Sequence, residues 1–177
     1  MLNQNNYHGE SISMPVTRKI LTIGVYGYNE ETFFQTLKNE GVDTFCDIRR
    51  RRGVRGAGYA FANSKRLRDR LLKIGIQYHH ILELAPTAKI RERQKLADKT
   101  AKITKTKRIG LDNSFVEAYT EEILNSFDTD SFLETLGEQA RVIVLFCVEK
   151  EPAACHRSLV AKKLQQELGF EIDHKVP

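Results

Sequence analysis

Cys155, His156 and Arg157 stand side by side, a short loop after the apolar run Arg141–Val148 and Glu149. A thiol, an imidazole and a guanidinium where a loop enters a helix form a kit for chemistry on an anion. Unpaired backbone N–H groups and the positive end of the helix dipole favour bound anions there. The same field makes a cysteine thiolate more available. Cys155 is therefore a candidate nucleophile, His156 a candidate acid or base, and Arg157 a planar fork for phosphate or carboxylate. Successive helical residues diverge by about 100°, so the three share one pocket only if the turn is irregular. In the bland alternative Cys155 packs, His156 caps a carbonyl, and Arg157 pairs with Asp47 or Glu149.

Other residues of chemical interest lie at the ends of apolar runs. Asp47 and Arg49 close Val42–Ile48, and Glu149 closes Arg141–Val148. A carboxylate so placed is either an active-site acid or base or half of a buried ion pair, because an unpaired buried charge is costly. Arg49, Arg50, Arg51, Arg52 and Arg55 crowd a loop with three glycines, followed by Tyr59 and Phe61. The arginines suit phosphates, and the two rings either stack on bases or pack on the sheet edge. His79 and His80 are adjacent, so on a strand they point to opposite faces and one at most reaches a site. Cys147, Cys155, His156 and His174 are residue types that zinc accepts, but their spacing matches no standard structural zinc pattern. Cys147 is expected to face the core, and no metal or cofactor is expected.

The elements that must position these groups follow from periodicity and punctuation. Strands are predicted at Lys19–Gly24, Val42–Ile48, Ile76–Leu82, Arg141–Val148 (central and covered on both faces) and Phe170–Val176 at an edge. Helices are predicted over Glu30–Glu40 with Gly41 beyond its end, from Asn63 or Ser64 with the stripe Leu67, Leu71 and Leu72, from Asn113, from Asp130, and over Ser158–Leu168. Alternating strands and helices argue an α/β fold, a single domain with a mostly parallel central sheet flanked by helices. Residues 1–18 read as a flexible tail, 19–177 as the domain, and 86–110 as a basic, helical and mobile insertion. Ligands of open parallel sheets bind outside the carboxyl ends of the strands, and the polar groups above collect at that rim.

Composition bounds the reading. No apolar run approaches the ~20 residues needed to span a bilayer, and the polar first nineteen residues lack the apolar core of a secretory signal. A cytoplasmic chain with no membrane partner is expected. Three cysteines without a CxxC spacing argue against a disulfide scaffold. Nine Arg or Lys residues face one acid, Asp69, between Arg49 and Arg70, and nine more face Glu92 and Asp98 between Lys89 and Arg108. An anionic partner is implied, nucleic acid or a nucleotide first.

On the segments TIGVYGY, VDTFCDIR, GIQYHHILEL and LFCVEKEPAACHRSLVAKKL, spread over about Ile20 to Val176, the chain resembles the bacterial and archaeal family catalogued as domain of unknown function 488. The resemblance implies an α/β fold and a site built on Asp47, Arg49, Glu149, Cys155, His156 and Arg157. It implies no activity. Two departures place the chain in an arginine-rich branch: Val25-Tyr26 stands where many members have His-Ser, and RRRRGVRGAGYAFANS stands where many have a proline. The leading functional expectation is an enzyme acting on nucleic acid or a nucleotide, with Asp47 or Glu149 as acid or base and Cys155 as nucleophile. The rival is a non-catalytic module that binds nucleic acid or an anion. Oligomeric state is left open.

Overall fold

The most apolar run of the chain becomes the middle strand of a five-stranded sheet. The computed structural model describes residues 17–104 and 107–177. Strands β1 (Lys19–Gly24), β2 (Thr44–Asp47), β3 (Gln77–His80), β4 (Val142–Cys147) and β5 (Glu171–Lys175) lie in the order β3-β2-β4-β1-β5. Every pairing is parallel, with Gly24 opposite Cys147 and Asp47 opposite Phe146. The α/β class, the parallel sheet, the central β4 and the edge β5 agree with the sequence reading.

Alternation along β4 divides the core in two. Ile143, Leu145 and Cys147 join one apolar cluster, and Val144 and Phe146 join the other. The second cluster takes Phe33, Phe34 and Leu37 of α1 (Glu30–Asn39) and Leu67 and Leu71 of α2 (Ser64–Lys73). The first takes Ile90 of α3 (Ala88–Thr100), Phe115 and Tyr119 of α4 (Asn113–Glu122), Phe132 of α5 (Thr129–Leu136), and Val160 and Leu164 of α6 (His156–Leu168). A sheet covered on both faces explains why its inner strands are near-continuous apolar runs. Among the described residues no helix is long and apolar enough to cross a membrane.

Several boundaries move, each for a local reason. Asn29 starts α1 through a reciprocal capping box with Thr32, and Gly41 follows its end at φ +65°. Asp112 caps α4 in place of Asn113, and Asp128 caps α5 in place of Asp130. Leu72 is 78% exposed and leaves the α2 stripe, since it lies about 100° round from Leu71. Helix α6 begins at His156 rather than Ser158, with Cys155 as its extended N-cap. Asn63 stands at the N-cap of α2, but its side chain accepts from Val54 N at 2.7 Å and closes the arginine-glycine loop instead. The expected tail falls almost wholly outside the described residues. Within 86–110, α3 carries Ile90 and Gln94 into buried positions against the body of the fold.

Candidate functional site

The carboxyl ends of β1, β2 and β4 open onto a cavity of about 730 Å³. Its cations come from three places: Arg49, Arg50, Arg51 and Arg55 from the loop after β2, Arg91 and Lys95 from α3, and Arg108 from the segment after it. Its acids are Asp98 and Glu149. Cys147, Cys155 and His156 also line it, and all three are buried. A smaller adjoining cavity of about 440 Å³ shares Tyr26, Arg55, Arg108 and Glu149 and adds Tyr59.

Asp47 is fully buried and does not line the cavity. Its Oδ1 accepts from Arg49 Nε at 2.8 Å and from the Arg49 backbone N–H at 3.1 Å. Its Oδ2 accepts from Arg49 Nη2 at 2.7 Å and from the Tyr78 hydroxyl at 2.8 Å. Both oxygens are thus engaged, and the fork holds Arg49 over the Phe146 ring at 4.4 Å. Burial, and then the Asp47 charge, push the Tyr78 phenol up to about 12, so it stays a donor. The remaining nitrogen of this guanidinium, Arg49 Nη1, is buried and has no hydrogen-bond partner among the described residues.

Arg157, expected as an anion clamp, has no exposed surface and does not line the cavity. Its Nη1 donates to the Glu149 carbonyl at 2.6 Å, its Nη2 to the Lys150 carbonyl at 2.9 Å and its Nε to Thr22 Oγ1 at 3.3 Å. The backbone of Cys155 is the ordinary extended N-cap of α6, and the three side chains do not share one pocket. Cys155 and His156 reach the cavity while Arg157 turns to the sheet. Glu149 meets Arg108 instead, with Oε1 3.4 Å from Nη2, so its carboxylate stays at the cavity wall. Arg108 also donates to Asp98 at 2.8 Å and to the Ala154 carbonyl at 3.2 Å, and its buried Nε has no hydrogen-bond partner among the described residues.

At the floor, Cys147 Sγ lies 3.8 Å from His156 Nδ1, and the two sulfurs and a ring nitrogen lie within 4.8 Å of one another. His156 Nε2 is 3.2 Å from the Ile48 carbonyl, which can only accept, so Nε2 carries a proton and Nδ1 faces the sulfurs. Burial opposes ionisation of Cys155, but hydrogen bonds from Cys147 and His156 and the charges of His156 and Arg157 outweigh it and hold the thiol well below its usual range. Cys147 is pushed the other way, by its hydrogen bond with Cys155 and by burial. Cys147 packs in the core as expected, and it reaches the cavity as well.

The remaining expected residues divide. Arg50, Arg51 and Arg55 are exposed at the rim, with Arg50 Nε on the Pro86 carbonyl at 3.1 Å. Arg52 lies outside both cavities, on the Tyr78 side. Tyr59 is partly buried, edge-on to Tyr26 at 5.2 Å. Phe61 is 2% exposed and packs among core rings, which decides between its two alternatives in favour of packing. His80 Nε2 meets the Arg49 carbonyl at 2.9 Å, and His174 meets Thr22 at 2.8 Å rather than the rim. Arg91, Lys95 and Arg108 were not singled out by the sequence. The four-residue spacing of the first two, which puts them on one helix face, was the available signal.

These features define an α/β protein with a cation-lined cavity at the carboxyl edge of a parallel sheet. The chain belongs to the family described as Domain of unknown function DUF488, whose model matches residues 29–164. That match is shorter than the resemblance over 20–176, leaving β1 and β5 outside it. No curated protein and no solved structure matches the chain.

Proposed function

We propose that this cavity binds a phosphate-bearing ligand, a nucleotide or a stretch of nucleic acid, and acts on it at the thiol-imidazole floor. The observation that carries the reading is the pair of buried guanidinium nitrogens, Arg49 Nη1 and Arg108 Nε, that have no hydrogen-bond partner among the described residues and belong to side chains lining one cavity. Buried donors are almost always satisfied, and phosphate oxygens suit arginine forks. Arg50, Arg51 and Arg55 would meet further phosphates at the exposed rim.

In this reading Asp47 positions Arg49 and does not touch the ligand. Glu149 is the carboxylate placed for acid or base work at the cavity wall. Cys155 is the sulfur presented to the reacting atoms, with His156 beside it. Tyr59 offers a ring to a base in the adjoining cavity. Arg157 supports the Glu149 turn from beneath.

Fluorescence anisotropy with labelled single-stranded DNA, single-stranded RNA and a nucleoside triphosphate tests the reading. Binding at low salt is expected for at least one of these probes. The combined Arg50→Ala and Arg51→Ala substitutions should weaken single-strand binding at least tenfold, with an unchanged circular dichroism spectrum. Absence of binding to all three at low salt sinks the proposal.

A further inference from the structure

Cys147, Cys155 and His156 form a cluster that anion binding does not require. We propose that these three side chains are a zinc site, with two thiolates and one imidazole as ligands and a fourth position open to the cavity. The inference goes beyond phosphate binding: with zinc bound, Cys155 and His156 are its ligands and the floor chemistry is the metal's. The arginine contacts are untouched, so zinc binding and phosphate binding can fail separately.

The donor atoms already lie near the separations that tetrahedral zinc imposes. Zn–S bonds of about 2.3 Å and Zn–N bonds of about 2.0–2.1 Å put neighbouring donors roughly 3.5–3.8 Å apart. Cys147 Sγ and His156 Nδ1 are 3.8 Å apart, and no pair in the cluster exceeds 4.8 Å. Closing the longest edge takes a movement of about 1 Å. Rotation of the Cys155 side chain can supply that, because Cys155 sits outside the helix as an N-cap.

The support for the ligands is also built. Zinc-bound histidines commonly donate their other ring N–H to a carboxylate or backbone carbonyl, which fixes the tautomer. His156 Nε2 does so to Ile48, which directs Nδ1 at the sulfurs, where it gives its lone pair to zinc once deprotonated. The Tyr119 ring meets the imidazole edge-on at 5.5 Å, and its own hydroxyl is held on the Leu84 carbonyl at 2.6 Å. Closed structural zinc sites take four protein ligands, whereas sites with three keep a position for water or substrate. All three residues line the cavity, so the open position would face it.

Binding balances without a change of oxidation state. Relative to the neutral cluster, one Zn(II) displaces two protons, which pass to solvent with the waters the ion sheds, while two Zn–S bonds and one Zn–N bond form to two thiolates and a neutral imidazole. The dication and two thiolates cancel, so the cluster carries no net charge. A water or a ligand oxygen completes the coordination.

The test uses the full chain, stripped with a chelator under reducing conditions and titrated with Zn(II) against a competing dye, with Co(II) as the spectroscopic reporter. One tight equivalent is expected, and the cobalt form should show sulfur-to-cobalt charge transfer with tetrahedral visible bands. Cys155→Ser and Cys147→Ser should each weaken zinc binding about 100-fold or more, since even outer-shell changes cost 10–100-fold. The wild-type cobalt spectrum needs no variant, so a misfolded mutant leaves the test intact. No tight equivalent, or bound cobalt without a sulfur band, overturns the site. Anisotropy of the stripped protein with the phosphate probes reports separately on the phosphate reading.

Discussion

Gly24 ends β1 directly under the turn that follows β4, where a Cβ would run into the carbonyl oxygen of Glu149 and come to 3.0 Å from Arg157 Nη1. The obstacle is backbone, pinned from below by the Arg157 guanidinium, so it cannot swing aside as a side-chain end would. Gly24→Ala must push the Glu149 turn outward or bend the end of β1. Overpacking of this kind costs about 1–3 kcal/mol, and a urea unfolding midpoint should fall accordingly with an unchanged m-value. Stability equal to wild type would mean that the turn is free to move, and that Arg157 does not hold it. Asp47 shows the same economy of placement: its four hydrogen bonds leave no lone pair facing the cavity, and its effect on a ligand passes through Arg49.

Edge strand β3 supplies the element-scale case. His79 is half-buried there, and burial lowers its pKa from 6.5. The folded state therefore favours the neutral ring more than the unfolded chain does. Above about 6.5 both states are neutral, and the contribution is fully present. As pH falls through 6.5 toward the lower folded value, the unfolded chain takes up the proton first and stability is lost. Urea midpoints measured between pH 8 and pH 5.5 should drop less in His79→Gln than in wild type, and equal drops would remove His79 as a source. The elements themselves were legible because alternation on a doubly covered sheet leaves few readings of VIVLFC or KILTIG. Helix starts were less legible, since Asp112 and Asp128 compete with neighbours of equal capping strength. The site was legible as a rim but not in its details. Cys147 on an apolar strand reads as core until the strand is known to end there. The inward turn of Arg157 depends on α6 starting at His156. The role of Arg108 depends on Asp98, Ala154 and Glu149, whose meeting is a property of the fold and not of spacing.

At the scale of the whole molecule, the cations that sequence composition grouped into two runs meet across one opening. Arg50, Arg51 and Arg55 come from the β2 loop, and Arg91 and Lys95 from α3 on the other side. A single nucleotide would use the buried pair Arg49 and Arg108, whereas a strand would also run over the exposed rim. Salt separates the two cases. Each phosphate neutralised on a single strand contributes about −0.7 to the slope of log K against log salt. A strand crossing the rim at Arg50, Arg51 and Arg55 should give a slope of about −2 or steeper. Combined substitution of these three by alanine should flatten it by about 2 units while leaving the response of a nucleoside triphosphate less changed. Anisotropy titrations at four salt concentrations measure both slopes. Equal losses for strand and nucleotide would place both ligands on the exposed arginines, and a strand slope that the substitutions leave intact would move the nucleic acid off this face.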